Sequence, residues 1–256
     1  MNELSLTTLD AGRKTIEATM VAALGAQMRG SLLDRSHPAY DDSRAIWNAM
    51  IDRKPGLIAR CAGAADVVSA VRFARDHGLL VAVRGGGHNI AGNAVCDGGV
   101  MIDLSAMKSV RVDPVAQRAW VEPGALLADV DKETQAFGLA VPTGINSTTG
   151  IAGLTLGGGF GWLTRKYGLT IDNLVSADVV TADGKLLRAS ATDNPDLFWA
   201  IRGGGGNFGI VTAFEFRLHR VGPQVLSGLI VHPFADAEAV LKEYRQAVAA
   251  APDELT

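Results

Sequence analysis

Glycine falls in clusters along this chain, at 85–87, 150–153, 157–161 and 203–206, and any fold must account for all four. Glycine admits backbone with positive φ and lets main-chain N–H groups approach a ligand with no Cβ in the way. At a single cluster, a tight turn or a close strand crossing would serve as well. Several together point to a large ligand held through backbone contacts, typically one that carries phosphates. Two of the clusters sit inside an uncharged run, Thr134 to Thr164, which holds eight glycines, a proline, an asparagine and several threonines. That composition makes a poor lipid-facing helix. The run is expected to be a buried, irregular loop whose backbone faces something other than water.

Two familiar phosphate motifs are excluded. Gly204-Gly205-Gly206-Asn207-Phe208-Gly209 matches the string G-x-G-x-x-G, but a predicted helix precedes it and a predicted strand follows. The dinucleotide fingerprint needs the strand first and the helix after. The cluster at Gly85 does follow a strand, yet its third glycine position is Ile90. Gly184-Lys185 is followed by Leu186, so no Walker loop is present.

Length and composition narrow the classes further. With 256 residues, 48% of them apolar, the chain can bury a sizeable core in one large domain or two modest ones. A net charge of −3 provides no basic field for nucleic acid or anionic lipid. Cys61 and Cys96 stand far apart, which leaves neither a disulfide framework nor a zinc site. The start of the chain lacks a basic segment followed by an apolar run, so a soluble, cytoplasmic protein is expected, with no nucleic-acid or membrane partner.

Periodicity predicts an α+β chain. Residues 1–30 read as a helical preamble, with Ile16, Met20, Ala23 and Leu24 at helical spacing. A strand at Leu57–Cys61, a helix from Gly63 to about Gly78 and a strand at Leu79–Val83 make a βαβ unit whose exit is Arg84-Gly85-Gly86-Gly87-His88. A strand at Val100–Leu104 follows. Val110–Val112 and Arg118–Val121 flank a turn at Asp113-Pro114, and a helix is expected over Ala125–Phe137. Ala177–Thr181 and Lys185–Arg188 flank Ala182-Asp183-Gly184, a hairpin signal. Then come a helix at Pro195–Arg202, a strand at Ile210–Leu218, a strand at Val225–Val231 and a helix at Ala235–Ala250. His88, placed directly after three glycines, is either a histidine bonded to its own loop or an imidazole presented to a ligand.

Three blocks resemble one family. Val83-Arg84-Gly85-Gly86-Gly87-His88-Asn89 is the first, and Gly150-Ile151-Ala152-Gly153-Leu154-Thr155-Leu156-Gly157-Gly158-Gly159-Phe160-Gly161 the second. Arg165-Lys166-Tyr167-Gly168-Leu169 with Asp172-Asn173 is the third, and Phe198-Trp199-Ala200 through Asn207-Phe208-Gly209-Ile210-Val211-Thr212 adds to them. In order and spacing they resemble the berberine-bridge-enzyme-like flavoproteins, members of the vanillyl-alcohol-oxidase superfamily with a PCMH-type FAD-binding domain.

The resemblance implies two α+β subdomains with FAD between them, over residues 35–221. It implies an N-terminal helical segment at 1–34 and the beginning of a substrate domain at 222–256. It puts the pyrophosphate on Val83, Arg84, Gly85, Gly86, Gly87, His88, Asn89 and the stretch to Gly92. It puts the isoalloxazine against Thr143, Gly144, Thr149, Gly150, Gly153, Leu154 and Gly158, and the adenine end near Ile210. His88 aligns with the histidine bonded covalently to the flavin, while Asn146 stands where some relatives carry a second, cysteinyl tether. One covalent bond, through His88, is therefore expected. Asp172-Asn173, Tyr167 and Arg165 match family positions and serve equally well as capping or packing residues.

The implied reaction is oxidation of an alcohol or amine carbon of a small-molecule substrate, with O2 as the final acceptor; family substrates range too widely to fix which. Family members run to about twice this length, and their usual catalytic base lies beyond the part matched. Completion of the substrate domain by a further C-terminal half or a second chain is thus expected. A cofactor-holding module without turnover is the alternative. A cell-wall-precursor reductase using NADPH is disfavoured by His88.

Overall fold

The computed structural model describes residues 3–256. The chain opens with a hairpin of β1 (Leu4–Thr7) and β2 (Arg13–Ile16), followed by α1 (Ala18–Gln27), β3 (Ser31–Leu33) and α2 (Tyr40–Arg44). β4 (Leu57–Arg60), α3 (Ala64–His77), β5 (Val81–Arg84) and β6 (Val100–Asp103) complete a four-stranded sheet in the order β3-β4-β6-β5. β5, β6 and β4 run parallel, and β3 is antiparallel at the edge.

A parallel sheet is covered on both faces, so its strands read as unbroken apolar runs. Alternation decides which side chain goes where. Leu57, Ala59, Val100 and Ile102 pack under Val67, Ala70 and Ala74 of α3, whereas Ile58 and Met101 face Leu33, Tyr40 and Val95. Helix α3 ends where Gly78 turns left-handed at φ 64°. At its other end buried Asp66 accepts hydrogen bonds from the backbone N–H groups of Arg29, Gly30 and Ala62, which fastens α1 to the βαβ unit.

The second half holds β7 (Val110–Asp113), β8 (Arg118–Val121), α4 (Leu127–Gln135), β9 (Leu139–Ala140), α5 (Ile151–Leu156) and α6 (Thr164–Tyr167). It continues with β10 (Leu174–Val180), β11 (Leu186–Ser190), α7 (Pro195–Ile201), β12 (Ile210–Arg217), β13 (His219–Arg220) and α8 (Ala237–Ala250). Five of these strands form an antiparallel sheet, β11-β10-β12-β8-β7. Phe214, Phe216, Ala177, Val179 and Val121 form a core with Leu127, Val130 and Ile151 of α4 and α5. Val180 and Ile210 pack instead with the first core, so the two sheets share one seam.

The structure corrects three expectations. The helical preamble expected at 1–30 is, over its described residues from 3 on, a hairpin before a helix, and Leu6, Ile16, Val21 and Leu24 belong to the first core, so residues 3–34 are part of that unit and not a separate piece. The uncharged run is not wholly irregular, since α5 and the start of α6 lie in it. No strand forms at Val225–Val231: the segment has no ladder partner among the described residues, and Val225, Leu226, Leu229, Ile230 and Val231 are exposed. Helix α8 buries no residue; Arg165 holds its end through the carbonyls of Val248 and Ala251.

Candidate cofactor-binding site

Between the two sheets lies a cleft of about 990 Å³. Its first wall is β5 and the loop that leaves it, Val83 and Gly85 to Ala91; its second is Thr149 to Gly157, and its far end is Gly205 to Val211. No Asp, Glu, Lys or Arg lines it. An anionic ligand there would meet backbone dipoles, not salt bridges.

The loop is built to supply them. Among the described residues, no hydrogen bond within the chain uses the N–H groups of Gly85 through Ala91. Seven consecutive donors beside a cavity have no acceptor within the chain and stand open to a ligand or to water, Asn89, Ile90 and Ala91 being exposed. Beneath them Arg84 is half-buried; one guanidinium N–H donates to the Ser43 carbonyl, and its Nε is buried without a partner. Arg84 makes no ion pair among the described residues. Its positive charge under the loop favours an anion above it.

The glycines divide by what a Cβ would meet. At Gly86 it would sit 2.6 Å from the Gly150 nitrogen, and at Gly150 it would sit 2.6 Å from the Gly86 Cα. The two loops cross there backbone to backbone, and both glycines line the cleft. Gly92, at φ 76°, would place a Cβ 2.7 Å from Ile51, and Gly144 would place one 2.6 Å from Leu154. At Gly153, Gly205 and Gly206, by contrast, nothing lies within 4 Å, and all three line the cleft. Gly205 stands at φ 68°, which favours glycine by itself; at Gly153 and Gly206 neither packing nor backbone conformation demands the missing side chain, and a ligand lying against the backbone would.

His88 lines the cleft beside the loop. Its ring stacks on Trp47 with centroids 4.4 Å apart and planes 21° apart. Its Nε2 is buried and has no hydrogen-bond partner. Cys61 and Cys96 are buried outside the cleft lining, and burial pushes both thiols up, Cys96 to about 11, so neither is a thiolate near neutral pH.

Of the residues singled out in the sequence, the cleft gathers Val83, Gly85, Gly86, Gly87, His88, Asn89, Thr149, Gly150, Gly153, Leu154 and Ile210. Arg84, Gly92, Thr143, Gly144 and Gly158 lie outside its lining. Arg84 and Gly92 shape the loop from behind, and Gly144 gives way to Leu154. Gly205, Gly206 and Asn207 also line the cleft; none is among the site residues expected from the sequence, and their glycine cluster is the signal that points to them. The third block resolves as capping and packing: Asp172 accepts from the Leu169 N–H, and Asn173 donates to the Tyr167 and Leu169 carbonyls.

A family model described as FAD binding domain matches residues 55–190. The chain belongs to this family. It is 42% identical over 203 residues to (R)-6-hydroxynicotine oxidase of Paenarthrobacter nicotinovorans, covering 79% of this chain and 44% of that protein. It is 37% identical over 215 residues to the xylooligosaccharide oxidase of Thermothelomyces thermophilus, covering 81% and 42%. Among solved structures, 6-hydroxy-D-nicotine oxidase from Arthrobacter nicotinovorans superposes with a TM-score of 0.81 at 39% identity, over 86% of this chain and 49% of that one. The chain therefore spans about half the length of the relatives it matches.

The berberine-bridge-enzyme-like resemblance holds, and FAD is the cofactor of this domain. The cleft fits it on its own terms. Free N–H groups suit a pyrophosphate, the uncharged wall around α5 suits a flat apolar ring, and the open faces of Gly153 and Gly206 leave room where a Cβ would intrude.

Proposed function

We propose that this chain is the FAD-holding part of an oxidase acting on an alcohol or amine carbon, with O2 as acceptor, in the cytoplasm. The row of unpaired N–H groups from Gly85 to Ala91, facing a cleft without charged side chains, is the observation that carries this reading. When bound, FAD supplies the two-electron sink that such an oxidation needs. The chain's own residues bind and orient. Gly85 to Ala91 hold the two phosphates through backbone donors, with the Arg84 charge behind them. The Thr149 to Gly157 wall excludes water from the ring face, and Gly205 to Val211 bound the adenine end.

His88 is the single covalent tether in this proposal. An imidazole nitrogen with no hydrogen-bond partner is free to act as a nucleophile. Forming that bond would exchange a His88 imidazole N–H and a methyl C–H of the bound flavin for one N–C bond, with O2 as the two-electron acceptor leaving as H2O2. Asn146 is exposed and its side-chain oxygen is engaged by the Thr148 N–H and hydroxyl, which suits a loop residue and no second bond. Denatured protein is expected to keep the mass increment of FAD, and His88→Ala to lose it on denaturation while still binding FAD reversibly. Complete release from wild type at full native occupancy would remove the tether.

A second reading is a cofactor-holding module whose substrate site is completed by further chain. The exposed apolar segment Val225–Val231 and the half-length match to full oxidases favour it. Anaerobic addition of an alcohol, amine and sugar panel separates the two: bleaching of the flavin band requires a substrate site within this chain.

A further inference from the structure

We propose that Trp47 is the positioning residue for His88, acting at the tip of a brace, residues 43–54, that presets the glycine loop for its ligand. The brace lies ahead of the matched span 55–190. It rests on the proposed role of His88 as tether, and its test is chosen to stand apart from that role.

The brace consumes the loop's carbonyls. The Trp47 N–H donates to the Gly87 carbonyl at 3.1 Å, and Asn48 Nδ2 donates to the Ile90 carbonyl at 3.1 Å. Arg53 Nη1 donates to the carbonyls of Gly92 at 3.0 Å and Val95 at 3.1 Å. In return Arg84 donates to the Ser43 carbonyl. A trans peptide points its C=O and the next N–H in opposite directions. Fixing the Gly87 and Ile90 carbonyls on the brace therefore turns the N–H groups of His88 and Ala91 away from it. Both residues line the cleft. The donors are set before any ligand arrives, so binding does not have to order them.

The Trp47 side chain has a separate task. One face of the indole lies on the His88 ring, yet the residue is 57% exposed, so it is not there to fill a core. The imidazole lines a cleft large enough for it to swing into, and its buried Nε2 has no hydrogen bond to fix the ring. Stacking with ring planes 21° apart is the contact that holds its χ angles. The backbone donor of Trp47 survives any substitution, so the brace and the clamp can be tested apart.

The experiment compares wild type, Trp47→Ala and Trp47→Phe in the full chain by two readouts. The first is the His88 Cε1–H resonance in flavin-free protein. Trp47→Ala is expected to shift it by removing the indole ring current, and Trp47→Phe to restore part of the shift. The second is the time course of acid-stable flavin after FAD is added. Trp47→Ala is expected to slow it roughly two- to tenfold, the scale of one aromatic stack, with Trp47→Phe near wild type. In a His88→Ala background, adding Trp47→Ala should leave reversible FAD affinity unchanged. An unmoved His88 resonance in Trp47→Ala would overturn the proposal. An affinity loss in the His88→Ala background as large as the slowing would also overturn it, because Trp47 would then support the fold and not the imidazole. If wild type acquires no acid-stable flavin, the tether fails by itself, and the resonance still decides the clamp.

Discussion

At the scale of the residue, glycine explains most of the site, but for two physical reasons that the sequence does not separate. Gly86 and Gly150 are glycines because two backbones cross there; Gly153 and Gly206 are glycines although nothing in the chain approaches them. Substitutions should sort accordingly. Gly86→Val would drive side-chain carbons into the Gly150 backbone and is expected to cost several kcal/mol of stability together with flavin binding. Gly153→Ala sits in helix α5, outside the left-handed region, in open space. It should stabilise the flavin-free chain by about 0.5–1 kcal/mol through helix propensity while weakening FAD binding in a His88→Ala background. Thermal melts and flavin titrations on the same variants check both signs. A Gly153→Ala chain that gains stability and binds FAD as well as its parent would show that the wall around α5 does not touch the cofactor. His88 was legible as unusual from its place after three glycines, whereas its partner Trp47 was not. A tryptophan about forty positions upstream, outside every motif, shows no pattern until the chain folds.

At the scale of the element, legibility followed the number of partners an element finds within the chain. Helix α3 was read almost to the residue because its apolar period, Gly63 and Gly78 all mark the same boundaries. The hairpins β7–β8 and β10–β11 followed from turn residues flanked by β-formers. The opening hairpin was misread because Leu24 and Ile16 also satisfy a helical spacing, and short apolar patterns fit both periods. Val225–Val231 reads as a strand by composition, but a strand exists only with a ladder neighbour, and none lies beside it here. The contact between β13 and the turn before β10 joins residues some forty-six positions apart, and no local pattern marks it. His219 Nε2 lies 2.6 Å from the Asn173 oxygen, and its ring stacks on Tyr167 at 4.0 Å. The Asn173 amide nitrogen is spent on two carbonyls, so His219 donates from Nε2. Burial, with a smaller contribution from Arg217, holds the His219 pKa below its usual 6.5. A base whose folded pKa is depressed adds stability above its unfolded pKa and loses it as pH falls through the folded one. The melting temperature should therefore drop as pH falls below about 6.5, and His219→Gln should lessen that drop. An unchanged acid limb in His219→Gln would assign the loss to the carboxylates.

At the scale of the whole molecule, the cleft is where two cores meet, and its occupant touches both. The first core supplies β5 and the loop; the second supplies Thr149 to Gly157, and the seam at Val180 and Ile210 closes the far end. A ligand that binds only the folded chain stabilises it by mass action, by about 2.7 kcal/mol at a hundredfold excess over its dissociation constant. For a domain of this size that corresponds to a rise in melting temperature of roughly 5–10 °C. The measurement belongs in the His88→Ala chain, where FAD exchanges freely. Because the loop donors and Gly205 to Val211 lie on the side assigned to phosphates and adenine, ADP should give a substantial part of the rise by itself. Riboflavin lacks the phosphates and should give little. Both halves of the molecule should melt in one transition with FAD present, since its ends bridge walls drawn from different cores. A full shift from riboflavin with none from ADP would reverse the orientation of the cofactor and take the phosphates off Gly85 to Ala91. Two separate transitions that FAD shifts unequally would mean that the ligand rests on one wall only.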